Sequence, residues 1–338
     1  MIRFSIIIPV RGVNDFVRES VDHIKRLDYQ DFEVFIVTDE KEDYDFGDSR
    51  IKILTSGNVG PGEKRNLAAS KASGNVLAFL DDDSYPETDW LKNADKIFQD
   101  SKVYALGGPA VTPKEAGYLE RMSGRVMGSF IVSGKTTFRY SPKEKRLVDD
   151  YPSVNLFVRK KDFDEVGGFP IEFWPGEDTK LCLDLVQKFN RNFPYDPSVV
   201  VYHHRRYLLK PLLKQISRYG QHRGQFARIF PATSRVPMYF APSALVLALF
   251  FSPFFIILLP RLLGTYLLFV VIYLSLILIE SIKVSHKEDR RVRAGFDFFV
   301  AVLATHVYYG LHFLIGLFRT PRLKLKRFDL KTGNYIEG

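Results

Sequence analysis

The sequence predicts a mostly parallel, doubly wound α/β domain followed by an α-helical transmembrane region. Three observations carry that reading. Short runs rich in Ile, Val, Leu and Phe alternate with helical patterns up to about residue 200. One of those runs, VLAFL (76–80), drives straight into three aspartates. Three long apolar runs, almost free of charge, follow residue 236.

The strand candidates are FSIIIPV (4–10), FEVFIVTD (32–39), IKILTSG (51–57) and NVLAFLDDD (75–83). Their nearly continuous apolar content suits strands covered on both faces. Between them, 14–27 and 61–74 carry helical patterns, and the second has Pro61 near its start and Gly74 at its end. Strand–helix–strand alternation implies a parallel, doubly wound sheet, whose ligands sit beyond the carboxyl ends of the strands. Asp39 and Asp81–Asp83 fall at such ends.

Of 338 residues, 46% are apolar and 14% aromatic, and the net charge is +9. A length of this kind suggests about two structural units. The basic residues cluster at 203–228, 283–293 and 319–327, each beside a long apolar stretch. That placement points to anionic lipid headgroups rather than to nucleic acid. A single cysteine, Cys182, leaves no intrachain disulfide. The opening MIRFSIIIPVRG has an apolar run too short for a secretory signal and is taken as a first strand.

Crowded carboxylates repel one another, and a divalent cation removes the repulsion. Asp81 and Asp83 are therefore candidate ligands for Mg2+ or Mn2+, hard ions that share carboxylates with phosphates. Leu181, Leu185, Val186 and Phe189 recur at helical spacing, which sets Glu177 and Asp178 at a helix start, after a Gly–Gly turn and Trp174. Acids there suit the helix dipole, but an adjacent pair asks for a further role.

The ordered set SIIIPVRG, Asp39, KRNLAASKASG, FLDDD, GGFP, GEDTKLCLDL and HHRR, spanning about residues 4 to 206, resembles family 2 glycosyltransferases of the GT-A fold. The resemblance implies a nucleotide-sugar donor, with UDP ahead of GDP. It implies Asp83 on the metal that bridges the diphosphate and Asp81 on ribose or the metal shell; Asp82, also acidic, leaves that register open. It implies Asp39 on the base and Pro9 and Arg11 along the same slot. Lys64, Arg65 and Asn66 would lie near the nucleotide, and His203, His204 and Arg206 would close over the diphosphate. Asp178 would act as general base with Glu177 in support, giving single-displacement inversion.

Residues 208–230 interleave Leu212, Leu213, Ile216 and Tyr219 with Lys210, Lys214, Arg218, Arg223 and Arg228. This pattern reads as an amphipathic helix in the membrane interface. Arg218, Tyr219, Gly220, Arg223 and Gly224 resemble a segment of membrane-bound members that elongate lipid-linked sugars, as in exopolysaccharide assembly. The expected organisation is a transferase domain at 1–206, interfacial helices at 207–236, spans near 237–260, 262–282 and 296–318, and a basic tail at 320–338. The basic 283–293 loop puts the domain on the cytoplasmic side of a cell membrane. A third full span would send the basic 319–327 stretch outside, against the same bias, unless the last apolar segment is re-entrant or interfacial. The implied acceptor is a hydroxyl on a polyprenyl- or dolichyl-linked or other lipid. Alternatives are a polyprenyl-phosphate sugar synthase, whose acceptor needs no base, and a processive polysaccharide synthase.

Overall fold

The computed structural model describes residues 1–258 and 260–319, and the backbone of 326–329 and 334–337. The chain begins with β1 (Phe4–Pro9), α1 (Asp15–Ile24), β2 (Phe32–Thr38), β3 (Ile51–Thr55), α2 (Pro61–Lys71), β4 (Val76–Leu80), β5 (Ser84–Pro86) and α3 (Trp90–Phe98). It continues through β6 (Ala105–Gly107), β7 (Ala110–Val111), α4 (Tyr118–Met127), α5 (Phe130–Ser133), a 3-10 turn, β8 (Arg146–Val148), β9 (Asn155–Arg159) and α6 (Lys160–Glu165). Then come α7 (Glu177–Phe189), β10 (Phe193–Tyr195), β11 (Val201–His203), α8 (Lys210–Ile229), α9 (Pro231–Ser234), α10 (Pro237–Leu258), α11 (Leu263–Ser285) and α12 (Arg291–Phe318). Two short strands, β12 (Lys326–Asp329) and β13 (Asn334–Glu337), pair antiparallel. The rest of the expected basic tail at 320–338 lies outside the described residues.

The chain divides into two compact units. The first comprises 1–113 and 141–204, and the second 114–140 and 205–321. The second unit thus takes up 114–140 as well as the chain from residue 205. Long-range ion pairs, which leave no periodic trace in a sequence, hold that insertion there.

The first unit is built on an eight-stranded sheet of order β3-β2-β1-β4-β9-β6-β10-β8. The half β3-β2-β1-β4 is parallel, with Phe4 opposite both Phe32 and Val76. β9 then enters antiparallel between β4 and β6, so the sheet is mixed rather than mostly parallel throughout. Ile6 and Ile8 of β1 pack with Val17, Val21 and Ile24 of α1, and Trp90 and Phe98 of α3 extend the same core. On the opposite face Phe79 meets Phe163 and Phe169 edge-on or tilted, with ring centroids 5.6 and 4.9 Å away. Burial on both faces explains the near-continuous apolar runs.

One buried carboxylate ties the sheet to the turn before β4. Glu33 of β2 accepts from Ser5 Oγ (2.9 Å), Ser73 N–H (2.7 Å) and Ser73 Oγ (2.8 Å), and pairs with Lys52 at 3.0 Å. Burial alone would raise its pKa; the bonds from Ser73, Lys52 and Ser5 outweigh it and hold the group at about 2. A folded value below the ordinary 4.5 stabilises the fold above that pH, and the contribution is lost as pH falls toward 2. Glu33→Ala is expected to cost about 2–4 kcal/mol in urea unfolding at pH 7, and less as the pH drops below 4.

In the second unit α12 is the central helix. Tyr118 of α4 donates to Asp297 (2.8 Å), and Arg121 and Arg125 close on buried Glu288 at 2.8 and 2.6 Å. The Ile131 carbonyl of the inserted segment lies 3.0 Å from His306 Nε2, whose Nδ1 is 2.8 Å from the Tyr273 hydroxyl on α11. α8 packs its Leu212 and Ile216 into the same core as Phe298 and Val302. The apolar face expected to lie on the membrane is therefore spent on α12. Glycines make this approach close: a Cβ on Gly220 would sit 2.5 Å from the Tyr309 carbonyl, and one on Gly224 would sit 2.0 Å from that of Phe313. By length and composition, α11 and α12 could each cross a membrane, whereas the apolar stretch Pro237–Pro253 of α10 is shorter.

Candidate active site

β4 ends at Leu80, and the chain turns through Asp81–Asp83 into β5. β5 pairs antiparallel with β11, placing His203 opposite Ser84. That register brings His203 Nε2 to 3.0 Å from Asp83 Oδ1, and the His204 N–H donates to the Asp83 carbonyl at 2.9 Å. Ligand atoms of Asp81, Asp83 and His203 all lie within 4.8 Å of one another. Two carboxylates and an imidazole so placed fit a divalent cation. His203, expected on the diphosphate, lies with the two aspartates that could hold a cation. His204 follows strand alternation to the other side, where its Nε2 is 2.9 Å from Glu19 and its ring lies 4.9 Å from that of Phe16.

Arg65 of α2 is the hinge of the site. Its side chain is 3% exposed; Nη2 donates to Asp81 at 2.7 Å and Nη1 to Glu177 at 3.1 Å. One guanidinium therefore spans the strand-end acids and the start of α7. Glu177 follows Gly176, whose φ of 125° is open to glycine and strained for other residues. Burial pushes the Glu177 carboxyl up to about 7, neighbouring Asp178 adds to the rise, and Arg65 opposes it. Asp178 is partly exposed and accepts from the Thr179 N–H at 2.7 Å. Trp174, on the loop before α7, is 61% exposed.

At the carboxyl ends of the first two strands, Pro9 closes β1 and Asp39 follows β2. The Asp39 N–H donates to the carbonyl of Arg11, itself exposed. Lys64 is buried, and its ammonium donates to the Val10 carbonyl and the Asp39 carboxylate. Its charge is set against that of Asp39. The Asn66 amide accepts from the Phe169 N–H (2.9 Å) and donates to the Phe169 carbonyl (2.8 Å), fastening the GGF turn to α2. Asp82 sits 3.4 Å from the Asn14 amide, whose oxygen caps α1 by accepting from Val17. Asn14 and Glu19 escaped the sequence reading; the only trace was an Asn preceding an apolar helical pattern.

Arg206, Arg218, Tyr219 and Arg223 belong to the second unit. Arg206 and Arg218 are exposed. The Tyr219 hydroxyl accepts from Gln215 at 3.1 Å. Arg223 lies 5.0 Å from the Tyr239 ring centroid and donates to Ser234 Oγ at 3.3 Å, so it braces α8 against the start of α10.

An Asp-x-Asp turn at the end of the fourth strand, facing a helix that opens on Glu-Asp, defines a domain of the GT-A fold. Residues 5–167 match the family described as glycosyl transferase family 2. A pre-mycofactocin glycosyltransferase of Mycobacterium tuberculosis (strain CDC 1551 / Oshkosh) is 26% identical over 64% of this chain. The chain spans 46% of that relative, less than half its length. The Escherichia coli UDP-Glc:alpha-D-GlcNAc-diphosphoundecaprenol beta-1,3-glucosyltransferase WfgD is 32% identical over 26% of this chain and 36% of its own. The solved mannosyltransferase PcManGT from Pyrobaculum calidifontis, in complex with GDP-Man and Mn2+, has the same fold. It superposes with a TM-score of 0.54 over 94% of this chain and 87% of its own, at 18% identity.

Proposed function

We propose that this chain is an inverting glycosyltransferase that moves a sugar from a nucleotide diphosphate to a hydroxyl of a lipid-linked acceptor at a membrane surface. The observation that carries the reading is the Arg65 bridge, which sets a divalent-cation site and a Glu-Asp helix start on two sides of one side chain. Asp81, Asp83 and His203 would hold the cation, which when bound supplies positive charge for a departing diphosphate. A donor set that includes an imidazole favours Mn2+ over Mg2+. Asp39, with its charge balanced by Lys64, offers a carboxylate to the nucleotide base beside Pro9 and Arg11. Asp178 takes the proton of the acceptor hydroxyl, and Glu177, held by Arg65, keeps the first turn of α7 in place. A hydroxyl acceptor needs such a base, whereas a lipid phosphate is already ionised; the acid pair therefore favours the hydroxyl.

Membrane attachment is supported by the long apolar helices of the second unit, and a lipid-linked acceptor by the acceptor named for WfgD. The basic residues flanking the apolar stretches favour the cytoplasmic face. The test is turnover of a panel of UDP- and GDP-sugars with membrane lipid extract as acceptor, with product lipids read by mass. Mn2+ is expected to support transfer at a lower concentration than Mg2+, chelation to abolish it, and His203→Ala to erase most of the preference for Mn2+. No binding or turnover of any donor with either ion would overturn the assignment.

A further inference from the structure

By length and composition α12, like α11, could cross a membrane. Its neighbours argue against that. α8 runs beside it in the same direction: Gly220 lies against Tyr309, Gly224 against Phe313, and the Arg228 guanidinium donates to the Arg319 carbonyl. α8 also carries Lys210, Lys214, Arg218, Arg223 and Arg228. At 1.5 Å per residue these five cations extend over about 27 Å, close to the full hydrocarbon thickness. An upright α12 would draw all of them through the bilayer core, where cations are costly. Its first turns and the loop before it are equally committed to polar partners, through Tyr118 on Asp297 and the arginines of α4 on Glu288.

The exposed apolar residues of α12 tell the same story. Val292, Phe296, Val307, Tyr308, Leu311, Ile315 and Phe318 are its large exposed hydrophobics. At 100° per residue they fall within one arc of about 160°. That is a helix with one greasy face and one face covered by protein. In α11 the exposed apolar residues from Leu267 to Ile282 wrap about 220° instead. No charged residue occurs between Arg261 and Glu280, and none from Pro237 to Leu258. Phe250 and Ile257 of α10 are 71% and 74% exposed.

We propose that α8 and α12 lie together at the membrane surface, apolar stripe of α12 toward the lipid, and that only the α10–α11 hairpin enters the bilayer. Residues 1–236 and everything after Ser285 then lie on one side. This arrangement puts the basic stretches 283–293 and 319–327 on the same side, as the charge bias demands. The inference rests on the membrane attachment proposed above.

The test uses the full chain in inverted and right-side-out membrane vesicles, with a membrane-impermeant maleimide. The sole native thiol, Cys182, is buried and serves as the unlabelled background. Single cysteines are introduced at the exposed Asp15 (Asp15→Cys), at the exposed His286 between α11 and α12 (His286→Cys) and at Gly338 (Gly338→Cys), none in the site. All three are expected to label in the same vesicle type and to be shielded in the other, while the protein stays in the pellet after alkaline carbonate. Labelling of His286→Cys or Gly338→Cys from the side opposite to Asp15→Cys, with the protein retained in the pellet, would show a membrane path other than the α10–α11 hairpin and overturn the inference. Release by carbonate would instead remove the membrane attachment on which it rests.

Discussion

Asp178→Asn is expected to lower the rate of sugar transfer by about a hundred- to ten-thousandfold, the usual worth of a positioned general base. The replacement is isosteric, and its amide oxygen can still accept the Thr179 N–H that Asp178 accepts at 2.7 Å. The helix start should survive, and with it the Arg65–Glu177 bond on the other side. Donor and Mn2+ binding, followed by calorimetry, should therefore stay within about threefold of the parent, since the candidate cation ligands lie on the β4–β5 turn and at the end of β11. Transfer that persists in this variant would remove Asp178 from the chemistry. The neighbouring acid adds a pH signature. Glu177, with a folded pKa of about 7 against an ordinary 4.5, stabilises the fold most below pH 4.5, and that contribution fades as pH rises through 7. Glu177→Gln should flatten the corresponding fall in stability, measured by denaturant unfolding across that range.

Replacing Arg65 should do the largest structural damage of any single change in the site. Arg65→Met leaves two carboxylates, Asp81 and buried Glu177, without the guanidinium that now separates them. Breaking one partner out of a buried ionic group costs about 3–5 kcal/mol, because the remaining charge cannot recover its hydration. Arg65→Lys is the informative companion. An ammonium restores the charge but lacks the planar fork that reaches both acids at once. It should recover much of the unfolding free energy lost in Arg65→Met while transfer stays depressed. Equal recovery of stability and transfer would reduce Arg65 to a mere counter-charge and discard its role in setting the distance between the two halves of the site.

The parts of this protein legible in one dimension are those governed by near neighbours. Apolar runs of strand length, the Asp81–Asp83 turn, the Glu177–Asp178 helix start and the apolar stretches after 236 all follow from composition and period over a few residues. Three features were settled only by packing. The β5–β11 register decides that His203 meets Asp83 while His204 meets Glu19. Arg65 reaches Glu177 across 112 positions of chain, and Lys64 and Asn66 turn inward to Asp39 and Phe169. Residues 118–139 join the second unit through Tyr118 on Asp297 of α12 and through Arg121 and Arg125 on Glu288 just before it, and Gly220 and Gly224 draw α8 onto α12. The physical reason is common to all three. A period reveals which face of an element is apolar, whereas the choice of partner for that face, and of counter-ion for a buried charge, depends on segments that become neighbours only when the chain has closed.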